Sequence, residues 1–173
     1  INNGWLVPFE YYGIYDDTDY SLIPWRSGKY DLEALENALV IEKRLDLVFK
    51  KYMEHRKKST VGFCASVKHC EVMNQYFRKQ GIRSEIIIGE TPISKRQEII
   101  GKFKEKKVEA IFTVDIFNEG VDIPCIDTLL FLRPTLSYTI FIQQLGRGLR
   151  TFEGKDSVRV LDFVGNYKGA ELR

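Results

Sequence analysis

After Lys58 the sequence alternates short apolar runs with stretches of helical periodicity, and no other feature limits the fold so tightly. Runs at Val61–Ala65, Glu85–Ile88, Ala110–Val114, Thr128–Leu132 and Val158–Phe163 have the length and composition of strands. Between them, Val67–Gln80, Ser94–Lys106 and Ser137 to about Leu149 space their apolar residues as helices do. Strands alternating with helices build a parallel sheet with crossover helices, so Val61–Phe163 is expected to form one α/β unit. Gly81 stands just past a helix and can end it, whereas Gly101 interrupts a helical pattern. In such sheets ligands collect where the strands deliver their carboxyl-terminal loops. Those loops lie at Ser66, at Gly89-Glu90-Thr91-Pro92, at Asp115 to Pro124 and at Arg133-Pro134-Thr135.

Two segments precede this unit. Residues 1–30 are rich in Trp, Tyr, Pro and Asp, carry turn chemistry at Tyr15-Asp16-Asp17-Thr18-Asp19 and Arg26-Ser27-Gly28-Lys29, and read as an irregular lead-in from a missing upstream domain. Its aromatics, Trp5, Tyr11, Tyr12 and Trp25, are expected to pack rather than to stack on bases. Residues 31–58 form a leading helical segment: Asp31 is placed to cap a helix, and Leu32, Leu35, Leu39, Leu45 and Val48 recur at helical spacing. That is one long helix, or two broken near Ile41. The unit proper is then 59–173. The first residue is Ile rather than Met, as expected of a fragment cut from a longer protein.

Composition narrows the function classes. With 173 residues, 44% of them hydrophobic, the chain has enough apolar side chains for a sizeable core, which argues against disorder. Three cysteines, Cys64, Cys70 and Cys125, are too few for a disulfide framework, so a reduced, cytoplasmic protein is expected. They read as ordinary buried or half-buried thiols rather than nucleophiles. No apolar run approaches the roughly 20 residues of a membrane helix, and no membrane partner is expected. His55 and His69 lack metal-ligand spacing with each other or with the cysteines, so no metal site is expected. Against 26 Lys+Arg stand 24 Asp+Glu, a net charge of +2. That balance excludes a strongly cationic coat protein and leaves room for a local basic face.

Chemistry concentrates in two stretches. In Phe141-Ile142-Gln143-Gln144-Leu145-Gly146-Arg147-Gly148-Leu149-Arg150, helical spacing puts Gln143, Arg147 and Arg150 on one face, with Ile142, Leu145 and Leu149 nearly opposite. Paired guanidinium forks suit a phosphate whose charge is redistributed during transfer. A solvated basic face at a helix end would look the same if this stretch stood alone. In Phe112-Thr113-Val114-Asp115-Ile116-Phe117-Asn118-Glu119-Gly120-Val121-Asp122-Ile123-Pro124, an apolar strand delivers Asp115 and a turn containing Gly120 returns Asp122 to the same edge. Such a loop can hold a ribose hydroxyl and line a phosphate path with amides, or simply cap and turn the chain.

Taken together, the two stretches resemble motifs V and VI of the carboxyl-terminal half of a superfamily 2 helicase of the DEAD/DEAH type. Gln143 to Arg150 match Gln-x-x-Gly-Arg-x-x-Arg, and Glu119-Gly120-Val121-Asp122-Ile123-Pro124 match motif V. Val61-Gly62-Phe63-Cys64-Ala65-Ser66 looks like motif IV, and Gly89 followed by Arg96 looks like motif IVa. The wording, with the tail Val160-Leu161-Asp162-Phe163-Val164-Gly165-Asn166, is similar to the subgroup related to type I and type III restriction motor subunits. Val114 departs from the pattern, standing where many relatives place Thr.

The resemblance implies an α/β, RecA-like second motor domain, a parallel sheet flanked by helices and lacking a P-loop. It implies that Arg147 and Arg150 reach the β and γ phosphates of ATP, one as an arginine finger. Gln143 would contact the nucleotide or orient a finger, Gly120 would permit close approach, and Asp122 would face the ribose or tether an arginine. Ser66, Gly89, Arg96 and Thr113 would lie on the nucleic-acid side, with DNA favoured over RNA. Arg133 would be a further contact to nucleic acid or to the partner domain. The implied partners are an amino-terminal RecA-like domain of the same protein and, as candidates, a nuclease domain or restriction-modification subunits. ATP and Mg²⁺ would be held mainly by that amino-terminal domain. The three Gly-Lys pairs here continue into Tyr30, Phe103 and Asp156, so none forms a P-loop, and there is no Asp-Glu dipeptide to hold the metal. The 173 residues are therefore expected to be inactive as an ATPase alone. The rivals are a non-catalytic nucleic-acid-binding or regulatory module of the same fold and a self-contained nucleotide-binding enzyme, the latter disfavoured by the missing phosphate loop.

Overall fold

The computed structural model describes residues 9–16, 18–114, 125–134 and 157–163. Strands β1 (Phe9–Gly13), β4 (Thr60–Phe63), β5 (Ser84–Ile86), β6 (Ala110–Thr113), β7 (Thr128–Phe131) and β8 (Val158–Asp162) form one sheet. Its order is β1-β8-β7-β4-β6-β5, and every pairing is parallel. A separate hairpin joins β2 (Trp25–Arg26) to β3 (Lys29–Tyr30). The α-helices among the described residues are α1 (Leu32–Leu39), α2 (Glu42–His55), α3 (Val67–Lys79) and α4 (Ile93–Lys104).

The sheet is covered on both faces because its side chains alternate between two apolar clusters. Val61, Phe63, Ile111, Leu129, Phe131, Val158 and Val160 point to the face packed by Ile99 and Phe103 of α4. Ala110, Phe112, Leu130, Leu132, Leu161 and Phe163 point to the other, where Leu45, Val48 and Tyr52 of α2 meet Cys70, Met73 and Phe77 of α3. The period of two is the pleat of the strands. Each fully buried Phe, Leu or Ile contributes about 1.5–3 kcal/mol of burial free energy. At the centre, the Gly62 position has no room for a Cβ, which would stand 2.8 Å from the Phe112 ring.

Several boundaries differ from the expectation. The leading segment is two helices: Val40 ends α1, and Ile41 is extended (φ −67°, ψ 143°) before α2 begins. Asp31 caps α1 by accepting from Ala34 N at 3.0 Å, as expected. The lead-in is not wholly irregular, since Phe9–Gly13 pairs with β8 as an edge strand of the main sheet. Its alternation is legible only through its partner: Tyr11 packs toward one cluster and Tyr12 toward the other. Helix α4 stops at Lys104 rather than Lys106, because Lys106 turns left-handed (φ 66°) and Lys107 N donates to Lys102 O at 2.8 Å. Gly81 ends α3 with φ 90°, as its position implied. Strand β5 gives way after Ile86 to a turn in which Thr91 N donates to Ile88 O at 3.1 Å. The expected helix at 137–149 lies outside the described residues.

No helix among the described residues is long and apolar enough to cross a membrane. All three cysteines are free and buried, and burial pushes the Cys64 and Cys125 thiols up, away from thiolate reactivity.

Candidate functional site

The parallel register aligns the carboxyl ends of the central strands into one ledge. Phe63 of β4 pairs with Thr113 of β6 on one side and with Phe131 of β7 on the other. Just beyond them, Cys64 N donates to Thr113 O at 2.8 Å and Leu132 N donates to Phe63 O at 3.0 Å. Ser66, Gly89, Arg96 and Thr113 are thereby brought to the same end of the sheet, after or at the ends of β4, β5 and β6. Gly120, Asp122, Gln143, Arg147 and Arg150 lie outside the described residues.

The corner after β4 is tightly braced. Ser66 caps α3, its hydroxyl accepting from His69 N at 3.1 Å and donating to Glu36 Oε2 of α1. The Nδ1 atom of His69 accepts from Ala65 N at 2.9 Å. That bond puts the proton of neutral His69 on Nε2. Burial, with the nearby Arg44 charge, pushes the His69 pKa down to about 3, so the ring is neutral at physiological pH. Thr113 is fully buried.

The loop after β5 is shaped by two side chains. Thr91 Oγ1 accepts from Ile88 N at 3.0 Å, and Arg96 Nη2 donates to Ile88 O at 3.2 Å. Gly89 is exposed at this turn. Arg96 is thus placed as a brace of the loop, a role the sequence alone did not show.

Two further features were not read from the sequence as parts of a site. Arg44, fully buried in α2, donates through Nη2 to Leu132 O at 3.2 Å and meets Asp16 Oδ2 through Nε at 2.9 Å. It ties the lead-in to the end of β7. Tyr20 packs nearby, and burial pushes its hydroxyl up to about 12. The second is a cleft of about 530 Å³ over the carboxyl ends of β4 and β7, walled by Arg26 and Lys29 of the hairpin, Leu32 and Leu35 of α1, Ala65 and Arg133. Arg26-Ser27-Gly28-Lys29 was legible as a turn, and Ser27 (φ 54°) and Gly28 (φ 78°) do make one of the primed hairpin type.

Residues 40–152 match the model of the helicase conserved C-terminal domain. The chain belongs to that family. This helicase C-terminal domain is 30% identical over 169 residues to the Saccharomyces cerevisiae protein named ATP-dependent helicase IRC3, covering 95% of the chain and 24% of the relative. It is 35% identical over 174 residues to the Schizosaccharomyces pombe protein named mitochondrial ATP-dependent helicase irc3, covering 99% of the chain and 28% of the relative. The chain thus spans about a quarter of the length of these curated relatives. Among solved structures, a fragment described as an HsdR subunit of a type I restriction enzyme from Vibrio vulnificus matches with a TM-score of 0.73 at 18% identity, covering 98% of this chain and 34% of that one. The C-terminal domain of the DEAD-box protein Dbp5 matches with a TM-score of 0.65 at 16% identity, covering 95% and 81%. The RecA-like fold of helicase C-terminal domains is therefore the fold of this chain.

Proposed function

We propose that this helicase C-terminal domain is the second motor domain of an ATP-dependent helicase or translocase acting on nucleic acid, DNA in preference to RNA. Arg147 and Arg150 reach across an interdomain cleft to the phosphates of ATP bound mainly by an amino-terminal RecA-like domain. Gln143, Gly120 and Asp122 complete the nucleotide contacts. The observation that carries the reading is the run Gln143-Gln144-Leu145-Gly146-Arg147-Gly148-Leu149-Arg150, which falls within the family match at 40–152. The donor set fits the nucleotide: two guanidinium forks and an amide for phosphate, one carboxylate for a ribose hydroxyl. It supplies no Asp-Glu pair for Mg²⁺, so the metal belongs to the other domain.

The nucleic-acid side is the ledge after β4, β5 and β6. There the exposed Gly89 turn can offer its backbone to phosphates without reading bases, with Arg96 holding its shape, Ser66 at the same end of the sheet after β4, and Thr113 buried beneath the ledge.

The test uses the complete protein. Arg147→Ala should lower nucleic-acid-stimulated ATP turnover by about 10³-fold or more and leave ATP binding largely intact; turnover equal to the parent's would refute the finger assignment. The 173 residues alone should show no ATP turnover with any nucleic acid added. A gene product without an upstream P-loop would favour a non-catalytic binding module instead.

A further inference from the structure

We infer that the cleft between the β2–β3 hairpin and the ends of β4 and β7 is a second phosphate-gripping site of the nucleic-acid track, one that holds a single strand by its phosphodiester backbone. The inference rests on the nucleic-acid-motor reading above and adds to it residues that the family match does not reach, since Arg26 and Lys29 precede residue 40.

The cleft sits where the topology places ligands. From β4 the chain goes outward to β5 at one edge, returns to β6, and then crosses to the other side of β4 to lay down β7 and β8. The direction of winding thus reverses between β4 and β7, and crevices outside the carboxyl ends of strands at such a reversal are the usual ligand sites of open α/β sheets. Ala65 follows β4 and Arg133 follows β7, and both line the cleft.

The charge of the walls selects an anion. Among the described lining residues, the exposed cations Arg26 and Lys29, with Arg133 deeper in the cleft, stand against one carboxylate, Asp31, which is engaged in capping α1 at Ala34 N. Arg26 and Lys29 are also direct cross-strand partners in the hairpin. Like charges in that position destabilise a strand pair. Both side chains are exposed, and neither forms an ion pair among the described residues. A bound phosphate would relieve their repulsion and be gripped from two sides, by the hairpin and by Arg133. Leu32, Leu35 and Tyr30 give the same cleft an apolar wall suited to a base or sugar. A volume of about 530 Å³ admits one or two nucleotides and no duplex.

The experiment measures binding of a fluorescein-labelled single-stranded oligonucleotide, in separate DNA and RNA arms, by the complete protein across a salt series. Arg26→Gln/Lys29→Gln should weaken binding roughly tenfold and reduce the slope of log affinity against log salt by about 1.4, two contacts at roughly 0.7 each. Arg133→Gln should act in the same direction. Equal losses in the two arms identify the shared phosphodiester as the ligand. Lys104→Gln/Lys107→Gln removes the same charge at the opposite, amino-terminal end of the strands and should leave the slope unchanged. Parent-like affinity and slope in the hairpin variant, or an equal loss in the Lys104/Lys107 variant, would overturn the site while leaving the motor reading intact. Failure of the parent itself to bind either oligonucleotide would remove the motor reading and this site with it. Both hairpin residues are exposed and their mutual repulsion is removed, so the variant's melting temperature should not fall below the parent's.

Discussion

Arg44 and Asp16 meet 2.9 Å apart with side chains only 1% and 4% exposed, joining α2 to the lead-in inside the protein. A buried pair of this kind is worth little against an apolar replacement but is costly to break from one side, because a lone charge is left in the interior. Asp16→Ala should therefore lower the free energy of unfolding by about 3–5 kcal/mol in urea titration. The double variant Asp16→Leu/Arg44→Met should recover most of that loss. If the single change costs under about 1 kcal/mol, water reaches Arg44 and the tie is not structural.

Two glycines should respond in opposite directions to alanine. At Gly62 a Cβ meets the Phe112 ring at 2.8 and 2.9 Å, and that ring is itself wedged edge-on against Phe77 at 4.9 Å. Gly62→Ala should cost roughly 1–3 kcal/mol by overpacking, and Phe112→Leu added to it should relieve part of the cost. At Gly101, inside α4, a Cβ meets nothing within 4 Å. Gly101→Ala should stabilise the protein by about 0.4–1 kcal/mol. Thermal melts of the two variants compared with the parent decide both.

His69 makes stability depend on pH. Its pKa is about 3 in the folded protein against about 6.5 when unfolded, so between these values the unfolded chain binds a proton that the folded one refuses. Its contribution is complete above pH 6.5 and declines as pH falls toward 3. From pH 7 to pH 5 this one group should remove about 2 kcal/mol. His69→Gln should lose correspondingly less stability than the parent over that interval. Equal losses in parent and variant would mean that the ring protonates without unfolding.

Arg96 is expected to act on nucleic acid through the Gly89 loop. Since its Nη2 donates to Ile88 O, Arg96→Ala should loosen the turn and weaken oligonucleotide binding several-fold. A direct phosphate contact would also lower the salt slope by roughly 0.7, and a brace would not. A full drop in slope would reassign Arg96 as a phosphate ligand.

The α/β unit was legible because buried parallel strands leave unbroken apolar runs, and β4, β6, β7 and β8 stand where those runs are. Strand β1 was not legible. Its Phe9-Glu10-Tyr11-Tyr12-Gly13 run has little to mark it until β8, about 150 positions away, supplies the other half of every hydrogen bond. The helix break at Val40 and Ile41 was legible as one of two options, since periodicity continues across it.

The site divides in the same way. Ser66, Gly89, Arg96 and Thr113 could be named as candidates because short motifs keep their residue types at local spacing, and local spacing is what a sequence displays directly. The family, the α/β order and the lack of a phosphate loop are properties of contiguous residues, and each could be read along the chain. Folding alone brings Arg44 to Asp16 and Leu132, turns Arg96 into a brace of its own loop, and sets a hairpin ahead of the family match over the ends of β4 and β7. Those relationships join residues far apart in the chain, and they arise from the register of a parallel sheet, which no stretch of sequence carries alone.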